Sequence, residues 1–127
     1  MSQYLTPSLE DYIEIIYILG AGTEPVGMSE VAKVLGISKP SVSRAVRTLK
    51  LKSLVIQEKY GKIILTPKGE SVAKEIYSKH RMLSEFFMNV LGVSEKVAEI
   101  DACKIEHLLS TETLEKIKKI LKDKACM

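Results

Sequence analysis

The chain has 127 residues, of which 46% are hydrophobic and 28% charged, enough for one hydrophobic core or two small lobes but not for two ordinary large domains. No apolar run approaches the roughly 18 residues needed to cross a bilayer, and Glu10, Asp11 and Glu14 interrupt the only place a signal peptide would fit, so a cytosolic protein is expected. The net charge of +3 is unevenly spread: residues 28–68 hold nine Lys or Arg against Glu30 and Glu58, a net +7 that leaves −4 for the rest. Such a basic middle is the footprint of a phosphate-binding surface, although a charge run is more often a solvated face.

Thr6-Pro7-Ser8 has the form of a helix start, with a capping hydroxyl and a proline in the first turn. Leu9, Tyr12, Ile13, Ile16 and Tyr17 then recur at helical spacing and form the core face. Asp11 and Glu14 fall on a neighbouring stripe; taken alone they read as solvent-facing acids, with a pair of carboxylates offered across a cleft as the other reading. Residues 20–25 supply breakers and a loop.

Ser29 is placed to cap a short helix carrying Val31, Ala32, Val34 and Leu35 that stops at Gly36. Ser38-Lys39-Pro40-Ser41 opens a second helix through Val42, Ala45, Val46 and Leu49, and two helices joined by Gly-Ile-Ser form a helix-turn-helix pattern. The start of the second helix would enter the DNA major groove, with Ser38, Lys39, Pro40, Ser41, Ser43 and Arg44 at the reading end and Arg47 and Lys50 placed for phosphates. A helical hairpin buried in a core is the competing reading, and the concentration of basic residues weighs against it.

Residues 55–60 and 62–65 are rich in β-branched side chains and flank Gly61, which predicts a β-hairpin with Lys59 and Lys62 near its tip as phosphate contacts. Thr66-Pro67 begins a long helix, roughly six turns, that runs through His80 towards Leu91. Its far end, Met82, Leu83, Phe86, Phe87, Val90 and Leu91, is more apolar than one face requires and suggests a dimer interface, with packing against the last two helices as the other reading. Ser94 caps the next helix, with Val97, Ile100, Ile105, Leu108 and Leu109 as its expected core stripe, and Ser110 or Thr111 starts the last.

Asp-Ala-Cys-Lys-Ile-Glu-His, residues 101–107, sets Cys103, Glu106 and His107 three and four positions apart, where helical side chains converge, and thiolate, carboxylate and imidazole are a divalent metal's ligand types. On its own the triple reads more simply as a solvated Glu-His pair beside a half-buried cysteine. Two cysteines do not make a disulfide framework, and Cys126, near the end, is assigned no role. No nucleophile or oxyanion-stabilising loop accompanies the triple, so neither an enzyme nor a small-molecule substrate is expected.

Taken together, Thr-Pro-Ser-Leu-Glu-Asp-Tyr-Ile-Glu near the start, the Ser38 to Arg44 segment, Thr-Pro-Lys-Gly after the hairpin, Lys-His-Arg in the long helix and the Asp-Ala-Cys-Lys-Ile-Glu-His run resemble the metal-dependent repressors of the diphtheria toxin repressor and manganese transport regulator family. The resemblance covers residues 5 to about 121, in family order. It implies a mainly α fold with a small β-hairpin: a winged helix-turn-helix over residues 1–70, then an all-α metal-binding and dimerisation domain over residues 71–127. It implies a homodimer that binds a palindromic double-stranded operator when loaded with metal and represses transcription.

Carried over by position, Asp11 and Glu14 match first-helix ligands of the manganese branch, and His80 matches the long-helix histidine. Cys103, Glu106 and His107 match the iron branch, while Glu99 partly replaces an ancillary glutamate whose place Ser84 takes. The physiological ion implied is Mn²⁺ or Fe²⁺, with Zn²⁺ and Co²⁺ as ions that bind in vitro. A metal-independent winged-helix regulator with Cys103 as an oxidant sensor is the alternative.

Overall fold

The structure, a computed structural model, describes residues 5–22, 24–58 and 61–125, so Lys59 and Cys126 lie outside the described residues. The elements run α1 (Pro7–Leu19), α2 (Met28–Leu35), α3 (Lys39–Leu51), β1 (Val55–Gln57), β2 (Ile63–Leu65), α4 (Pro67–Asn89), α5 (Glu95–Ile105) and α6 (Thr111–Ala125). They fall into two compact units, Met1–Glu75 and Ile76–Met127, with the division inside α4. No helix among the described residues is long and apolar enough to cross a membrane.

In the first unit α1 begins as its sequence predicts: Thr6 is the N-cap, its hydroxyl accepting from the Leu9 N–H at 3.2 Å. Tyr12, Ile13 and Ile16 turn inward and join Val31, Val42, Ala45, Val46, Leu49, Leu54, Val55 and Ile63 in the core. Each of the larger of these contributes about 1.5–3 kcal/mol by leaving water.

The cap of α2 is Gly27 rather than Ser29, because the Glu30 carboxylate folds back to accept from the Gly27 N–H at 3.1 Å, and Ser29 falls inside the helix. Val34, expected inside, is 53% exposed. Gly36 ends α2 at φ +68°, a left-handed conformation that glycine adopts without cost, and this turn aims the chain into α3.

The hairpin is shorter than its β-branched residues predict. Val55–Gln57 pairs antiparallel with Ile63–Leu65 in the register Val55↔Leu65, Ile56↔Ile64 and Gln57↔Ile63. The outer edge of β2 is closed by a single bridge to Val26, whose N–H and carbonyl exchange hydrogen bonds with Ile63 at 2.7 and 2.8 Å. The loop after α1 thus satisfies backbone groups that would otherwise form an open edge.

The start of α4 is fastened to the hairpin. Thr66 donates its hydroxyl to the Ser53 carbonyl at 2.7 Å, accepts from the Gly69 N–H at 3.0 Å, and gives its own N–H to the Leu54 carbonyl. Gly69 is buried directly against that carbonyl, and a Cβ there would collide with it, which explains glycine one turn into a helix.

In the second unit α5 stops at Ile105, so Glu106 and His107 sit in the closing turn rather than on a continuing helix. Its expected core stripe is displaced: Val97, Ile100 and Leu108 are exposed, and Ala98, Ala102 and Glu106, spaced four apart, are buried instead. Small side chains on the inward stripe leave the larger apolar ones outside.

Candidate functional site

The basic segment forms one exposed face in the first unit. Along α3, Val42, Ala45, Val46 and Leu49 are buried, while Lys39, Pro40, Ser43, Arg44, Arg47 and Lys50 are exposed and Ser41 is half-buried. Ser38, the N-cap, accepts from the Ser41 N–H at 3.3 Å and shares a 3.0 Å hydrogen bond with the Ser41 hydroxyl. Arg44 donates to the Ser41 oxygen at 3.3 Å, so the guanidinium is steered along the helix rather than left to swing.

A trough of about 670 Å³ opens beside α3, lined by Gly27, Met28, Ser29, Lys39, Pro40, Ser43, Gly61 and Lys62. Ser43 also borders a smaller recess of about 140 Å³ with Met28, Val46, Arg47, Lys50 and Gln57. Between these hollows Gln57 acts as a strut: its oxygen accepts from Lys50 Nζ at 3.2 Å, and its amide nitrogen donates to the Gly61 carbonyl at 3.1 Å and contacts Met28 Sδ at 3.4 Å. Sequence reasoning missed Gln57 and Met28, since a polar outward residue in a strand carries no signal of its own. Cationic and hydroxyl groups along one helix face beside a hairpin suit a nucleic-acid backbone and groove.

On α1, Glu14 is only 7% exposed and Asp11 is half-buried. The solvent-facing reading of this pair is therefore wrong for Glu14. Glu10 beside them is also buried, at 4%, without having been singled out.

The second unit assembles four of the remaining candidates. His80 on α4 places Nε2 2.7 Å from Glu99 Oε2, and Ser84, one turn on, donates its hydroxyl to Glu99 Oε1 at 3.0 Å. The hydrogen bond from His80 holds the Glu99 carboxyl below its ordinary range, helped by Ser84 and the charges of His80 and Arg81 and opposed by partial burial. His80 Nδ1 lies 3.4 Å from Glu106 Oε2, and His107 Nε2 lies 3.5 Å from Glu106 Oε1.

Glu106 is fully buried, and neither of its oxygens has a hydrogen-bond partner among the described residues. A carboxylate withdrawn from water and set between two imidazole nitrogens suits a cation held by oxygen and nitrogen donors, so these residues fit a divalent transition metal. Cys103, by contrast, stands on the exposed side of α5.

Among the apolar candidates for an interface, Leu83 is fully buried within its own chain, so its side chain is core. Met82, Phe86, Phe87 and Val90 are half-buried and Leu91 is 59% exposed. The exposed apolar surface is carried further by Val97, Ile100 and Leu108 of the α5 region.

A winged helix-turn-helix followed by a helical unit with a buried metal-type donor set defines a DNA-binding transcriptional regulator rather than an enzyme. Residues 4–63 match the N-terminal DNA-binding domain of the iron-dependent repressors, and residues 66–126 match their metal-binding and dimerisation domain. The chain therefore belongs to the diphtheria toxin repressor and manganese transport regulator family of metal-dependent repressors.

It is 39% identical over 115 residues to an HTH-type transcriptional regulator of Methanocaldococcus jannaschii, covering 90% of this chain and 92% of the relative. It is 38% identical over 112 residues to the HTH-type transcriptional regulator MntR of Bacillus pumilus, covering 88% and 77%. The solved structure of the manganese regulator SloR superposes with a TM-score of 0.79 at 35% identity, covering 93% of this chain and 55% of that one. The chain thus spans about half the length of that solved protein. Family membership brings divalent-metal binding, DNA binding and a dimerisation domain.

Proposed function

We propose that this protein is a homodimeric cytoplasmic repressor that binds a palindromic operator when loaded with Mn²⁺, with Fe²⁺ as the alternative ion. The observation that carries the reading is Glu106, a fully buried carboxylate with no hydrogen bond, flanked by the imidazoles of His80 and His107. By the family resemblance Asp11, Glu14 and Cys103 would serve as further ligands beside His80, Glu106 and His107. A bound dication would supply the positive charge that offsets the buried Glu106 and the other ligand carboxylates.

Within this reading the chain's own residues divide the work. Ser38, Lys39, Pro40, Ser41, Ser43 and Arg44 reach base edges, while Arg47, Lys50, Lys59 and Lys62 neutralise phosphates. Two copies place their α3 helices in grooves one turn apart, about 34 Å. Oxygen donors outnumber the single exposed thiol, which favours Mn²⁺ over softer ions, and SloR is a manganese regulator. The alternative, a metal-independent regulator sensing oxidants through Cys103, leaves the buried Glu106 without a purpose.

The test is a gel-shift titration of a palindromic promoter fragment, first in chelator and then with Mn²⁺, Fe²⁺ or Zn²⁺ restored. Binding is expected to disappear in chelator and return with Mn²⁺. Binding that ignores chelator would sink the metal-switch reading.

A further inference from the structure

His80 is flanked by two carboxylates of opposite character. Glu99, on its Nε2 side, has a side chain 54% exposed, and both its oxygens are engaged, one by the His80 ring at 2.7 Å and the other by the Ser84 hydroxyl at 3.0 Å. Glu106, on the Nδ1 side at 3.4 Å, is fully buried and accepts no hydrogen bond. A carboxylate can only accept, so the proton of the contact with Glu99 belongs to Nε2. In a neutral ring the lone pair then resides on Nδ1, the nitrogen that faces Glu106.

We infer that Glu99 is a positioning residue for the metal centre and not one of its ligands: buttressed by Ser84, it holds His80 as the Nε2–H tautomer so that Nδ1 is the atom presented to an ion shared with Glu106. This rests on the proposed metal-dependent function and gives it an atom-level ligand assignment. Ser84 is itself 3% exposed, so its hydroxyl is held in place to fix the carboxylate. The arrangement follows a general pattern in which a ligating imidazole gives its other N–H to an outer carboxylate that sets ring orientation and raises ligand basicity.

The experiment has two readouts. In metal-free protein labelled with ¹⁵N-histidine, long-range proton–nitrogen correlation identifies which ring nitrogen of His80 carries the proton. The wild type and Glu99→Gln, whose amide oxygen still accepts, are expected to show Nε2–H, and Glu99→Ala to lose that preference. Equilibrium dialysis against Mn²⁺ then gives affinity and ion count.

Glu99→Ala is expected to bind about 10–100-fold more weakly with the same number of ions per chain, and Glu99→Gln to stay within about threefold of wild type because its neutral acceptor is only modestly weaker. An Nδ1–H ring in the wild type overturns the inference by itself, even if a variant fails to fold. Equal losses in Gln and Ala variants with one ion fewer make Glu99 a ligand, and unchanged or tighter binding by Glu99→Ala removes it from the site; either result overturns the inference alone. A wild type that takes up no Mn²⁺ overturns the metal-dependent function, and the inference with it.

Discussion

Replacing Glu106 by leucine should stabilise the metal-free protein while removing its response to metal. A buried acceptor left without a hydrogen bond costs about 1–3 kcal/mol, and Glu106 has two such oxygens at zero exposure. The gross penalty is therefore about 2–6 kcal/mol, and the imidazole nitrogens at 3.4 and 3.5 Å return part of it. Leucine fills nearly the same volume without the charge, so a net gain of about 1–3 kcal/mol is expected, within the range seen when buried ionic groups give way to apolar ones.

For a chain of this size each kcal/mol moves the melting temperature by roughly 3–5 °C, so the variant should melt about 3–15 °C higher in chelator. Mn²⁺ at 100 times its Kd should add about 2.7 kcal/mol to the wild type and nothing to the variant, closing or reversing the gap. Thermal unfolding at fixed protein concentration, with chelator and with Mn²⁺, measures both. A variant that melts below wild type in chelator would show that the carboxylate is anchored in the apo fold. One that keeps the full Mn²⁺ increment would remove Glu106 from the ligand set.

Three further outcomes are expected. Gln57→Ala cuts the strut between Lys50, Gly61 and Met28; operator affinity should fall while the salt dependence stays the same, whereas Lys50→Ala should reduce the log–log salt slope by about 0.9, and identical slopes for both would take Lys50 off the phosphates. Gly69→Ala drives a methyl into the Leu54 carbonyl and should destabilise by about 1–3 kcal/mol or more in denaturant titration; a loss under about 0.5 kcal/mol, the scale of an ordinary surface change, would mean the helix start shifts freely. The Glu99 carboxyl is held below its ordinary 4.5, chiefly by His80, so its contribution is present above that value and is lost as pH falls through the lowered one. The stability difference between wild type and Glu99→Gln should therefore be level near neutrality and vanish in acid, and a difference that grows on acidification would reverse the assigned sign.

Much of the first unit was legible in the chain itself. Thr6, Ser38 and Thr66 cap the helices they were expected to cap, because a hydroxyl three residues from an orphan N–H is a local matter. The basic, apolar-backed periodicity of residues 39–51 likewise identified α3 and its exposed face. The cap of α2 went astray for an equally local reason: Gly27 bonded to Glu30 competed with Ser29, and composition alone does not rank the two.

What the sequence determined by itself was the residue types available to a metal and their order, since Asp11, Glu14, His80, Glu106 and His107 are chemically suited wherever the fold puts them. Tertiary structure decided which of them leave water. Only packing shows that Glu14 and Glu106 are buried, that Ala98 and Ala102 take the inward stripe while Val97, Ile100 and Leu108 stay outside, and that Glu99 meets His80 across two helices. Burial and cross-helix hydrogen bonds depend on contacts between residues far apart in the chain, and periodicity, which records only a residue's angle on its own helix, carries no information about what stands opposite.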